Sequence, residues 1–374
     1  MNFLKEVASF PYEVARPMDK KKLSLNFFCF LLIFCWLQDA LFAKNQIDMR
    51  LEPYVQTLRE KGEEPVKFVL KKLGEHDLLL FDDAIHPAVE PFEFYQTLVK
   101  NRKFQEKVKY IFVEAFVLNR QSAVDAYLGA PKEDKKLLFS LFQDDYTGFG
   151  WTLKTYFDLM ETIYRVNRSL PDKEKLKVIA VSNPVYWEGI KTREDIKLMR
   201  KSFLDRDYFM YKIILGEMDN FKSGRKGILL TNTRHAYKGI KNRNYELIWD
   251  NCGTFFHQWH PGKSYSIRFH NVLLIIDKKK ENLDSGKIYS TGGLEQFDSR
   301  DVRVAEGLWD SAFKALGDRP LAVSMENTPF GRETYYGNLT HRSAPGQTML
   351  DAYDALIFLA PLEKLRFPAS VDRI

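Results

Sequence analysis

Within the five residues Asp82-Asp83-Ala84-Ile85-His86 the chain sets two carboxylates beside an imidazole, and Glu90 follows four positions after the histidine. A carboxylate next to a histidine favours the imidazolium or holds a neutral ring in one tautomer. That suits a general base acting on water, and it equally suits a metal ligand with its outer partner. Two other segments carry related groups. Val108-Lys109-Tyr110-Ile111-Phe112-Val113 runs directly into Glu114. Gly227-Ile228-Leu229-Leu230-Thr231-Asn232-Thr233-Arg234-His235 ends an apolar run in polar residues, where Arg234 would bind an anionic group or a developing oxyanion.

The plainer reading is that these acids cap a helix and complement its dipole, with His86 partly buried and hydrogen-bonded. It serves any one residue taken alone. It serves the set less well, because a carboxylate directly after an apolar strand is costly unless it is paired or faces a cavity. His257 and His260 have helix-compatible spacing but lack the glutamate of a zinc-protease motif. No Gly-x-Ser-x-Gly elbow, phosphate loop or dinucleotide glycine fingerprint occurs.

The elements that must position these groups follow from periodicity. Residues 48–61 have the spacing of an amphipathic helix. Strands are expected at Asp77–Phe81, Val108–Val113, Leu176–Val181 and Gly227–Leu230. Helical patterns separate them: Phe92–Val99, then about 120–170 with a break at Gly148-Phe149-Gly150, then about 193–219. Ser264–Phe269, Val272–Ile276, Leu321–Ser324 and Ala355–Leu359 suggest later strands. Strands alternating with helices predict an α/β fold, a mostly parallel central sheet with helices on both faces and helical insertions. Such sheets place their sites at the carboxyl ends of the strands, where the acids and histidines fall.

The chain has 374 residues, is 45% hydrophobic and 14% aromatic, and carries a formal charge of +6. That is globular composition with scattered basic residues, which argues against a nucleic-acid partner. The amino terminus differs: Lys20-Lys21-Lys22 precedes an apolar stretch from Leu23 to Leu37, closed by Ala40 and Ala43. This is the order of a secretory signal, with Met18 as an alternative start. The stretch falls short of the ~20 residues of a spanning helix. Residues 1–43 are therefore expected to be a signal peptide and 44–374 a single elaborated α/β domain, periplasmic or secreted. Membrane contact is confined to the signal segment if it stays uncleaved. Cleavage removes Cys29 and Cys35 and leaves Cys252 alone, expected as a small buried hydrophobe.

In order, these residues resemble the superfamily of erythromycin esterase-like, ChaN-like haem-binding and TIKI-type proteins. Its Gly-Glu-x-x-His motif after the first strand is matched by Asp82-Asp83-Ala84-Ile85-His86, with Glu90 as the acid that often follows in the esterases. The glutamate after the second strand is matched by Glu114, and an Arg-Asp on a later helix by Arg206-Asp207. The second histidine resembles His235-Ala236, and a closing aspartate-strand pattern resembles Tyr353-Asp354-Ala355-Leu356-Ile357-Phe358. The matches span roughly residues 77 to 365. Asp82 and Asp83 depart from the motif's glycine and glutamate.

The resemblance implies a hydrolase of an ester or amide bond acting on a small-molecule or peptide substrate. His86, Glu114, Asp83 and His235 would be its catalytic groups, and Arg206, Arg234 and Glu90 would bind substrate. Asp82, His86, Glu114 and His235 would be the donors if a divalent metal takes part. The alternative it implies is an uptake protein that holds haem or a metal without turnover. A third is an interaction protein whose ancestral site has decayed, suggested by Asp82-Asp83.

Overall fold

Seven short apolar runs assemble into one sheet in the computed structural model, which describes residues 49–84, 88–144, 153–202, 204–278 and 297–367. The first five strands are β1 (Leu78–Asp82), β2 (Val108–Val117), β3 (Lys177–Ser182), β4 (Lys226–Thr231) and β5 (Ser264–Phe269). A separate antiparallel ribbon follows, formed by β6 (Leu273–Lys278) and β7 (Phe297–Val302). β8 (Leu321–Ser324) and β9 (Ala355–Phe358) return to the main sheet, whose order is β3-β2-β4-β1-β5-β9-β8. Its pairings are parallel except for β8 against β9. The strand expected at Val272–Ile276 therefore belongs to the ribbon.

Parallel strands covered on both faces need side chains that are apolar on both, and β1 meets this with Leu78-Leu79-Leu80-Phe81, all buried. Leu79, Phe81, Ile111, Val113, Ile228 and Leu230 pack on one face, with the helices Val89–Lys100 and Lys154–Ser169. Leu78, Leu80, Phe112 and Leu229 pack on the other, with the helices Arg206–Glu217, Cys252–Trp259 and Leu308–Ala315. Burial of each such side chain contributes about 1.5–3 kcal/mol before the entropy of ordering is counted. Residues from Leu51 onward form one compact unit.

Side-chain alternation carries the polar residues along. Asp82 has the parity of Leu78 and Leu80, and Glu114 that of Phe112, so both face the second layer. Asp82 stands in register with Thr231 of β4 and with Arg268 of β5. One row of polar side chains thus crosses adjacent strands at their carboxyl ends.

Three elements differ from expectation. β2 does not stop before Glu114 but continues to Val117, with a shift in its register to β3 between Val113 and Val117. Ala115, Phe116 and Val117 are buried, which draws the strand onward, and such irregularities re-aim side chains near sites. The stretch 193–219 is two helices, Arg193–Ser202 and Arg206–Glu217, so Arg206 and Asp207 stand at the start of the second. The stretch 120–170 contains the helices Gln121–Gly129, Lys135–Ser140 and Lys154–Ser169. The expected break at 148–150 and the signal segment lie outside the described residues. Among the described residues, no helix is long and apolar enough to cross a membrane.

Candidate active site

Glu114 is the hub of the strand-end cluster. Its Oε1 accepts from Arg206 Nη2 at 2.7 Å, and its Oε2 accepts from the Thr231 hydroxyl and from the Asn232 N–H at 3.2 Å. Arg206 Nη2 also reaches Ser182 Oγ at 2.9 Å, and that hydroxyl donates to the backbone carbonyl of Glu114. The carboxylate expected after an apolar strand is thus paired and buried, as its desolvation requires.

His235 lies between two carboxylates. The Thr233–Ala236 turn after β4 carries it, and the start of the Arg206–Glu217 helix presents Asp207 to it. His235 Nδ1 is 2.7 Å from Asp207 Oδ1, and Nε2 is 3.3 Å from Glu114 Oε1. An ionised carboxylate only accepts, so Nδ1 carries a proton and donates it to Asp207. The Cys252 N–H donates to the same Oδ1 at 2.7 Å, and Arg234 Nη1 donates to Oδ2 at 3.0 Å. Burial alone would raise the Asp207 pKa, but His235, Arg234 and Arg206 outweigh it and hold the carboxyl below its ordinary value. This is the geometry of a histidine oriented by a carboxylate for proton transfer. Arg234 has 30% of its side chain exposed and so marks the open side of the cluster.

Asp82 and Asp83 do different work. Asp82 is fully buried: its Oδ1 accepts from the N–H groups of Ala84 and Thr233, and its Oδ2 from the Tyr353 hydroxyl and from Arg268 Nη1. Asp83 Oδ1 accepts from Asn232 Nδ2 at 3.1 Å. Burial first, and then Asp83, push the hydroxyls of Tyr95 and Tyr156 well above their usual range. Both phenols therefore stay protonated on the Asp83 side of the cluster.

The structure brings Asp82, Asp83, Glu114, Arg206, Arg234 and His235 together, and it adds Asp207, Arg268, Thr231, Asn232 and Tyr353. His86 lies outside the described residues. Glu90 has a partner of its own. It sits in the first turn of the Val89–Lys100 helix and pairs with Arg366 Nε at 2.9 Å and with the Arg366 N–H. Spacing put Glu90 one helical turn from His86, but an arginine near the other end of the chain claims it. Replacing Glu90 with alanine is expected to leave any activity unchanged and to cost about 1–2 kcal/mol, because the Arg366 end of the pair is solvated while the Glu90 carboxylate is mostly covered. Urea unfolding and a rate measurement check this.

Among the described residues, the cluster does not form a metal centre. Among those described, no group of three or more His, Cys, Asp or Glu side chains could hold an ion. Asp82 is saturated by an arginine, a tyrosine and two N–H groups, and Glu114 by Arg206, Thr231 and Asn232. Cys252 is buried, as expected, and burial followed by Asp207 and Glu114 pushes its thiol well above the usual range. His260 Nε2 lies 2.9 Å from the Tyr211 hydroxyl, and His257 is exposed beyond the same helix face.

Arg268 escaped the sequence reading, and Tyr353 entered it only within the closing motif, although one signal was present. In β5 the polar Ser264, Ser266 and Arg268 alternate with Tyr265, Ile267 and Phe269, which marks a strand with one polar face. Tyr95, Tyr156 and Tyr353 gave no such signal, because a buried aromatic in a helix or before a strand reads as core.

No family model matches the sequence, and no curated protein matches it. Solved structures do match in shape. A succinoglycan biosynthesis protein aligns over 86% of this chain and 98% of its own, with a TM-score of 0.57 and 9% identity. A Bacillus cereus protein aligns over 86% and 99%, with a TM-score of 0.52 and 11% identity. A mutant of the erythromycin esterase EreC in its open conformation aligns over 82% and 95%, with a TM-score of 0.52 and 11% identity. Across most of its length the chain has the fold these three share.

Proposed function

From a fold shared with an erythromycin esterase, we propose that this chain is a hydrolase of ester or amide bonds, with His235 as a proton carrier between Asp207 and Glu114. The observation that carries the reading is the imidazole itself, donating to Asp207 through Nδ1 while Nε2 faces Glu114. In a hydrolysis His235 would take the proton of an attacking water at Nε2, and Glu114 would stabilise the imidazolium that forms. Asp207 keeps the ring in the tautomer that leaves Nε2 able to accept.

Local charge narrows the substrate. Four carboxylates (Asp82, Asp83, Glu114, Asp207) meet three guanidiniums (Arg206, Arg234, Arg268), and each guanidinium is bonded to a carboxylate of the set. Each described guanidinium of the cluster already has a carboxylate as counter-charge, which favours an uncharged ester or amide over a phosphorylated or polycarboxylate substrate. The amino-terminal order of basic, apolar and small residues supports export as part of the proposal. The mature protein is then expected to begin near Lys44, which intact-mass measurement of secreted material checks.

The test is turnover. Protein beginning at Lys44 is incubated with a panel of neutral carboxylic esters and amides, and acid release is followed by titration. Release proportional to protein and lost in Glu114→Gln is the expected result. A panel without turnover would contradict the proposal.

A further inference from the structure

We infer that Asp82 is a positioning residue: through one carboxylate oxygen it locks the turns after β1 and β4, and so fixes His235. Asp82 Oδ1 accepts from the Ala84 N–H at 2.7 Å and from the Thr233 N–H at 2.6 Å. The two donors come from different turns, and both residues have left-handed backbone, with φ of +64° at Ala84 and +42° at Thr233. Neither is a glycine, and Thr233 is β-branched, so each conformation is unfavourable in isolation and persists only where the surroundings impose it. A buried ionised acceptor shared by both N–H groups is such an imposition.

The rest of the geometry keeps Asp82 still. Its Oδ2 is held by the Tyr353 hydroxyl and by Arg268 Nη1, and the residue has no exposed surface. Thr233 is further held by Asn338, whose Nδ2 donates to its hydroxyl at 3.0 Å. His235 stands two residues past Thr233 in the same turn, and its own N–H donates to the Asn232 carbonyl. Rotation of the turn at Thr233 would therefore swing the imidazole between Asp207 and Glu114. Asp82 takes no part in proton transfer on this reading; it acts through the turn.

The functional consequence rests on His235 as the proton carrier, but the positioning claim can be read without substrate. The full chain is labelled with ¹⁵N, and the His235 ring signals are identified by their loss in His235→Gln. In Asp82→Asn the Ala84 and Thr233 amides are expected to exchange together, roughly tenfold faster or more, as befits loss of a charge-assisted bond. The His235 ring signals should shift or split, while the Leu79 and Ile228 amides of β1 and β4 keep their protection. Tyr353→Phe, which removes a bond to Oδ2 and one to Arg268 but none to Oδ1, should leave both turn amides and the ring signals in place. If Asp82→Asn does not fold, Asp82→Asn/Arg268→Gln removes the stranded guanidinium and is read in the same way.

Unchanged ring signals in the asparagine variant would overturn the inference. So would a uniform loss of protection across the sheet, or an equal response in Tyr353→Phe. Where a hydrolysed substrate is in hand, Asp82→Asn should lower kcat with KM unchanged. Failure to find such a substrate removes the hydrolase proposal and leaves the exchange result standing.

Discussion

Arg268→Ala is expected to lower the unfolding free energy by about 3–5 kcal/mol, the cost of stranding one charge of a buried pair. Arg268 is almost fully buried in β5, and three contacts, beside longer ones to the Tyr353 hydroxyl and the Asn271 carbonyl, fix its guanidinium. Nη1 lies 3.3 Å from Asp82 Oδ2, Nη2 donates to the Val272 carbonyl at 3.1 Å, and the group stands 5.7 Å from the centre of the Tyr353 ring. Alanine removes all three, opens a cavity and leaves the Asp82 carboxylate without a counter-charge in the core. Domains are commonly stable by only ~5–15 kcal/mol, so the loss is a large part of the whole. Arg268→Met restores the volume but not the charge and should remain destabilised. Asp82→Asn/Arg268→Met should recover much of the loss, because a neutral pair strands nothing. Urea midpoints followed by circular dichroism decide it, and an unchanged midpoint in Arg268→Ala would show that the pair is not buried as described.

The second large effect is on rate. Asp207→Asn is expected to reduce kcat by ~10²–10⁴, the usual loss when a proton-transfer group is disabled. The substitution keeps the shape but replaces an acceptor that serves the His235 Nδ1–H and the Cys252 N–H together. An asparagine amide turned to donate would favour the other tautomer, with Nε2 protonated and unable to accept. The same residue gives a pH signature. Because the folded-state pKa of Asp207 is depressed, the stability it confers is present above the ordinary carboxylate range and is lost as pH falls through the lowered value. The stability gap between wild type and Asp207→Asn should therefore be widest near neutral pH and close in acid. A gap of the same size at both ends would mean that the Asp207 charge is not engaged.

Much of the site could be read in the sequence because strand parity is strict. Asp82 and Glu114 share a face because each follows an even step from buried neighbours, and the strand ends are where an open parallel sheet gathers its chemistry. Arg206-Asp207 and His235 became legible only through their order along the chain, since nothing local says that a helix start and a turn 28 residues later will meet. The Glu90 pairing was not legible because helical spacing is a local rule, whereas its partner Arg366 comes from 276 residues away. The departure at Asp82, read as an irregular part of the motif, has a physical reason in three dimensions: Arg268, Tyr353 and two left-handed turns all require a carboxylate there. The antiparallel β8 and the extension of β2 depended on packing that no single segment encodes.

His235 offers the most direct measurement. On whichever neutral ester or amide the panel shows to be hydrolysed, kcat/KM is compared for wild type and His235→Gln, with circular dichroism to establish that both are folded. A proton carrier at this position predicts a fall of at least ~10²-fold in a folded variant. Equal rates in the two proteins would contradict it.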